Sequence, residues 1–155
     1  QSKHEENVAS VAGKMDNRVI AAYQQLGFKL VVDPSVNYSG YFDARSRSIT
    51  MKQIDDSVYH ELGHFLAFIA GNADKTASFQ SIFAAEKANV TAFNKAYVTQ
   101  NASEYFAESV KDYILNNASL KSSRPQTYAA VQNALNQITD AQIAKIQKIY
   151  GAFWN

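Results

Sequence analysis

The sequence predicts an α+β domain, mostly helical, with a small β-sheet placed before its central helix. Three observations carry that expectation. Apolar residues recur at steps of three and four through most of the chain, the period of helices buried on one face. The stretch from Phe28 to Met51 departs from that period, with β-rich runs separated by turn formers. An apolar helical run then carries Val58-Tyr59-His60-Glu61-Leu62-Gly63-His64-Phe65, around which the other elements are organised. At 155 residues the chain is one domain by length and large enough to bury a core, and no repeat or linker divides it.

In order, Val8, Val11, Met15, Val19, Tyr23 and Leu26 predict one long amphipathic helix from Glu5 to Leu26, stopped by Gly27. His4 precedes it in a charged, mobile segment and reads as a surface residue. Phe28–Val32 reads as a strand ending at Asp33-Pro34. Tyr41-Phe42 and Ser48–Met51, flanking the polar Asp43–Arg47, read as a β-hairpin leading into the central helix. Val58, Leu62, Phe65 and Ile69 pin that helix to a core, with Asp55 or Asp56 at its start and Gly71 at its end. Asp74 would cap the next helix, which runs to Lys87 with Phe79, Ile82 and Phe83 on one face. Asn89–Asn101 is less patterned. Glu104–Leu115 is strongly helical, capped by Asn101 or Ser103, and Asn116–Arg124 reads as a polar loop. Pro125 suits the first turn of a helix with Tyr128, Val131 and Leu135 inward. Thr139-Asp140 opens a last helix containing Ile143, Ile146, Ile149 and Tyr150 and ending in Phe153-Trp154. The single domain, residues 1–155, thus comprises a helix and hairpin over 1–54, the chemistry-bearing helices over 55–137 and a further helix over 138–155.

His60 and His64 lie one helical turn apart, so both imidazoles leave the same face and can close on one metal ion. Imidazole nitrogen suits zinc, and a catalytic zinc site uses three protein ligands with a fourth position open to water. Zn²⁺ is therefore the expected cofactor, and Glu61 is placed to take the proton of a water attacking a carbonyl. The competing view is a helix whose two histidines are satisfied by hydrogen bonds in the core. A third ligand should be a carboxylate on a helix able to pack against the first. Glu104 and Glu108, four apart, share a face. One would bind zinc and the other would orient a ligand histidine, and the spacing leaves both assignments open.

Composition narrows the partners. A net charge of +1 and the lack of any basic cluster disfavour nucleic acid. Without cysteine there are neither disulfides nor thiolate metal sites, so zinc must be held by histidine and carboxylate. No apolar run reaches the ~18 residues needed to span a bilayer. The start, Gln1-Ser2-Lys3-His4, lacks both an initiator Met and an apolar export segment, as a processed export product or trimmed chain does; secretion is the expectation. The sequons at Asn37, Asn89, Asn101 and Asn117 read as chance.

Several of these stretches together resemble the catalytic domain of anthrax lethal factor and the related secreted Pro-Pro endopeptidases. The resemblance rests on His60-Glu61-Leu62-Gly63-His64, on Phe79-Gln80-Ser81-Ile82-Phe83-Ala84-Ala85-Glu86, on Glu104-Tyr105-Phe106-Ala107-Glu108-Ser109 and on Pro125-Gln126-Thr127-Tyr128, in register from about residue 57 to 135. It implies a zincin-like fold of the gluzincin type, with Glu104 as the third zinc ligand and Glu108 behind the ligands. It also implies a catalytic role for Tyr97, seven residues before the ligand glutamate, whose phenol would face the oxyanion of the tetrahedral intermediate. Ser103 stands where the Pro-Pro endopeptidases have an acidic residue. Trp154, at the far end, is the sole tryptophan, whereas those relatives carry one in a loop ahead of the metal helix.

The expectation is a secreted, monomeric zinc endopeptidase acting on a peptide or protein bound in extended form along a sheet edge, such as an extracellular protein with a proline-rich segment. A zinc-containing peptide-binding domain without turnover, and the catalytic fragment of a larger toxin acting on host signalling kinases, are the alternatives.

Overall fold

The computed structural model describes residues 2–154; the reading of the chain start at Gln1 lies outside them. The molecule is mostly helical, with one four-stranded sheet packed against the helix that carries the two histidines. The expected N-terminal helix is broken. In its place stand strand β1 (His4–Glu6), a single turn α1 (Val8–Val11) and helix α2 (Asn17–Gln25). Two side chains restart the backbone. Asn7 accepts the Ala9 N–H and Asp16 accepts the Arg18 N–H, each at 2.8 Å, as helix caps do. Val8, Met15, Val19, Tyr23 and Leu26 are nonetheless all buried, because a period in the sequence reports which residues face the core and not whether the helix between them is continuous. His4 is exposed, as expected, but in a strand paired with Val32 and bonded to Glu6 at 2.8 Å.

Gly27, at φ +79°, turns the chain out of α2 into β2 (Lys29–Val32). The predicted hairpin forms between β3 (Gly40–Asp43) and β4 (Ser48–Met51). The strand order is β1-β2-β4-β3, with β2 and β4 parallel and the outer pairs antiparallel. Leu30, Val32, Ile49 and Met51 form the buried apolar face, and β3 is an edge strand with one side unpaired.

Helix α3 (Ser57–Ile69) follows β4; the Asp55 carboxylate accepts the Ser57 N–H at 3.0 Å, and Gly71 at φ +71° lets the chain turn away. Asp74 does not cap α4 (Ala77–Glu86). It is buried in a 3-10 turn, and Thr76 accepts the Phe79 N–H instead. A short helix α5 (Lys95–Val98) leads to α6 (Ala102–Leu115), where Asn101 accepts the Glu104 N–H at 2.8 Å. The expected polar loop after α6 contains helix α7 (Asn117–Ser123), held by Leu120, its one buried residue. One apolar side chain sets no period, which is why the sequence pattern misses it.

In α8 (Pro125–Asn136) the buried residues are Thr127, Val131, Ala134 and Leu135, while Tyr128 is only half-buried. Buried Glu86 accepts the N–H groups of Gln126 and Thr127 and the Thr127 hydroxyl, at 3.0, 2.8 and 2.7 Å. The first turn of α8, opened by a proline, thus takes its cap from another helix. In α9 (Asp140–Trp154), Ile143 and Ile146 are buried, but Ile149 is 52% exposed. Among the described residues no helix is long and apolar enough to cross a membrane.

Among the described residues the most extensive packing between elements is that of α3 with α6. A Cβ on Gly63 would lie 2.6 Å from the Ala107 carbonyl oxygen and 2.7 Å from its Cα, so glycine alone allows this approach.

Candidate metal centre

The Gly63–Ala107 contact brings the glutamates of α6 to the histidines of α3. Glu104 Oε1 lies 2.9 Å from His60 Nε2 and 3.2 Å from His64 Nε2. Glu108, one turn further along α6, places Oε1 2.9 Å from His60 Nδ1. Behind His64, the Ser103 hydroxyl lies 3.5 Å from Nδ1. One ligand atom each from His60, His64 and Glu104 falls within 4.8 Å of the others.

These contacts settle the electrostatics. Burial alone would push the His60 pKa down, but the bonds to Glu104 and Glu108 outweigh it and raise the pKa to about 9. Reciprocally, the histidine bonds hold Glu104 well below the usual carboxylate range. This is one attraction seen from both partners. Burial also opposes ionisation of Glu108, yet the His60 bond and the charge of Lys111 bring its pKa below the usual value. Glu61 behaves oppositely: burial raises it, and the charges of His60 and His64 only partly offset the rise.

Zinc fits this donor set. Ligands at about 2.0–2.2 Å in a tetrahedral shell stand roughly 3.4 Å apart, close to the separations here. His60 gives the chemical reason. With the Nδ1 hydrogen spent on Glu108, the Nε2 lone pair faces a Glu104 oxygen at 2.9 Å. Only a proton or a cation between them makes that contact attractive.

The remaining predicted residues face the same cleft, of about 320 Å³, whose lining includes Glu61, Tyr97 and Glu104. Tyr97 is 54% exposed and its ring centre lies 6.3 Å from that of His60. Burial, then the charges of Glu104 and Glu61, raise its phenol pKa and keep the hydroxyl protonated, able to donate. Edge strand β3 forms the facing wall. Lys52 N–H donates to the Ser39 carbonyl at 3.1 Å, so by the alternation of an antiparallel ladder Gly40 and Phe42 turn their own N–H and C=O groups to the free edge. Sequence reasoning missed Gly40. A Cβ there would lie 2.9 Å from Glu61 Cγ and 3.1 Å from Oε2, so the strand passes the carboxylate only because this residue is glycine. Gly40 stands before a predicted strand, and nothing local signals a packing partner far along the chain.

Comparison with known proteins bears on the family of the chain. Residues 28–134 match the family described as anthrax toxin lethal factor, N- and C-terminal domain. Over 78 residues the chain is 41% identical to the Pro-Pro endopeptidase of Clostridioides difficile (strain 630), covering 48% of this chain and 34% of that protein. It therefore matches about a third of that relative's length. With a family match running from β2 to near the end of α8, through every residue of the His60–His64–Glu104 cluster, the chain belongs to the anthrax toxin lethal factor family.

Proposed function

We propose that the protein is a secreted zinc endopeptidase that hydrolyses a peptide bond of a substrate laid in extended form along β3. The observation that carries this reading is His60 held between two carboxylates, with His64 on the same Glu104 oxygen and Glu61 beside them. His60, His64 and Glu104 would hold the ion; when bound, it supplies Lewis acidity that lowers the pKa of water and polarises a carbonyl. Glu108 fixes the His60 ring so that Nε2 faces inward, and Ser103 stands behind His64. Glu61, with its raised pKa, accepts the proton of the attacking water and returns it to the leaving amine, a transfer that favours a carboxylate less acidic than usual. Tyr97 donates its phenolic hydrogen to the oxyanion. The outward N–H and C=O groups of Gly40 and the outward C=O of Phe42 pair with the substrate backbone, while the Phe42 N–H faces the Glu61 carboxylate, which sets the substrate's direction across Glu61.

The relative's printed name supports a substrate with a proline-rich segment, and the family resemblance supports an extracellular one. Glu61→Gln tests the mechanism: zinc content should stay at the wild-type level while peptide cleavage falls by about 10²–10⁴-fold. A Glu61→Gln protein cutting at the wild-type rate removes Glu61 from the chemistry. A peptide-library digest read by mass spectrometry tests the substrate class directly.

A further inference from the structure

Helix α9 lies beyond the residues that match the family, and its last turn touches both walls of the cleft. The Trp154 indole N–H donates to the Ala44 carbonyl at 3.0 Å, and Ala44, directly after β3, lines the cleft. The Arg47 guanidinium lies 5.1 Å over the indole ring and donates to the carbonyls of Leu26 and Trp154 at 3.1 and 3.4 Å. This one side chain therefore ties the β3–β4 turn to the end of α2 and to α9. On its other side, α9 grips α3. Tyr150 and Trp154 pack on Phe68 with ring centres 4.9 and 6.4 Å away, and Gln142 donates to the Ile69 carbonyl at 2.9 Å, while Trp154 also meets Phe28, just before β2, edge-on at 5.7 Å. Phe68 also lines the cleft.

We infer that α9 is a strut joining the metal helix to the substrate-pairing hairpin, and that Trp154 is a positioning residue holding the β3 edge in its binding conformation. The inference rests on the proposed peptidase reading and adds to it the element that sets substrate affinity. A four-residue strand with one neighbour is marginally stable alone. A substrate that had to order it while pairing would lose binding energy to that ordering. The anchor sits just past the turn end of β3 and ties Ala44 to Phe68 of the histidine-bearing helix, while the bonds of His60 and His64 run to Glu104 and Glu108 on α6, which Trp154 does not touch. Its loss should therefore act on recognition and spare the metal.

The test compares wild type with Trp154→Phe, which keeps an aromatic ring and loses the hydrogen bond to Ala44, and with Trp154→Ala, which loses both. Four quantities are read on the zinc-loaded chain: zinc content, kcat and KM on a peptide cleaved by wild type, and amide hydrogen exchange. The expected result for Trp154→Phe is unchanged zinc content, kcat within about twofold, and KM raised about fivefold to tenfold, the loss of one hydrogen bond. Trp154→Ala should raise KM further. Amides of β3 should exchange faster, with those of α3 unchanged. Equal KM and equal β3 exchange in all three proteins overturns the inference. So does faster exchange spread evenly over the molecule, which marks Trp154 as a general stability contact. If wild type cleaves no peptide, the peptidase reading fails by itself, and selective loosening of β3 in Trp154→Phe still decides for or against the strut.

Discussion

His60 carries a carboxylate on each ring nitrogen, so a bound metal and a proton compete for Nε2. Its pKa, raised from 6.5 to about 9, fixes the sign of two effects. In the metal-free protein the stabilisation from the protonated ring is complete below pH 6.5 and disappears as pH rises through about 9. Zinc must expel that proton, so its affinity should rise by about tenfold per pH unit between roughly pH 7 and 8.5. Zinc titrations at two pH values, with proton release measured in buffers of different ionisation enthalpy, check this; an affinity flat across that range contradicts it. At this scale much was legible. The His60–His64 spacing and Glu61 follow from helix periodicity, and the face shared by Glu104 and Glu108 follows from the same rule. The division of labour between those glutamates did not follow from spacing. It depends on how far α3 and α6 are offset along their axes, a tertiary quantity. The Ser103 contact with His64 was invisible for the same reason, since nothing in a serine after Ala102 announces an imidazole on another helix.

The pairing of α3 with α6 is the element-scale fact on which the site depends, and Gly63 is its fulcrum. A methyl group there would meet the Ala107 backbone at 2.6–2.7 Å, backbone that cannot rotate aside as a side chain can. Gly63→Ala should therefore separate the helices, cost about 1–3 kcal/mol by overpacking, and weaken zinc binding by at least about tenfold. Thermal melting and a zinc titration measure both. Unchanged zinc affinity would show that the helices can move without disturbing the ligands. Motif reasoning places Gly63 inside the metal motif, but only packing gives it a task. The errors at this scale share one cause. The N-terminal helix is interrupted and α7 exists because of local capping and a single anchoring leucine, and a count of apolar spacing registers neither. The Phe79–Glu86 and Pro125–Tyr128 segments, which carry part of the family resemblance, have a physical link: the Glu86 carboxylate of one caps the α8 helix opened by the other.

At the scale of the whole molecule, a bound ion would cross-link α3 to α6 and stand within a cleft walled by the sheet edge. Chelation should lower the melting temperature by about 10 °C if zinc is present far above its dissociation constant, with recovery on adding zinc back. A melting temperature indifferent to chelator would mean that the histidine–glutamate cluster is satisfied by protons alone. The sequence by itself determined the balance of helix and sheet, the hairpin ahead of the histidine-bearing helix and the identities of the residues that could bind a metal, because periodicity and side-chain chemistry are local properties. Tertiary structure decided the rest: which glutamate faces both histidines, that β3 lies at the sheet edge with Gly40 against Glu61, and that Trp154 reaches back to Ala44. Those outcomes depend on distances between segments far apart in the chain, set by the close packing of a whole core, to which every element contributes and which no single stretch encodes.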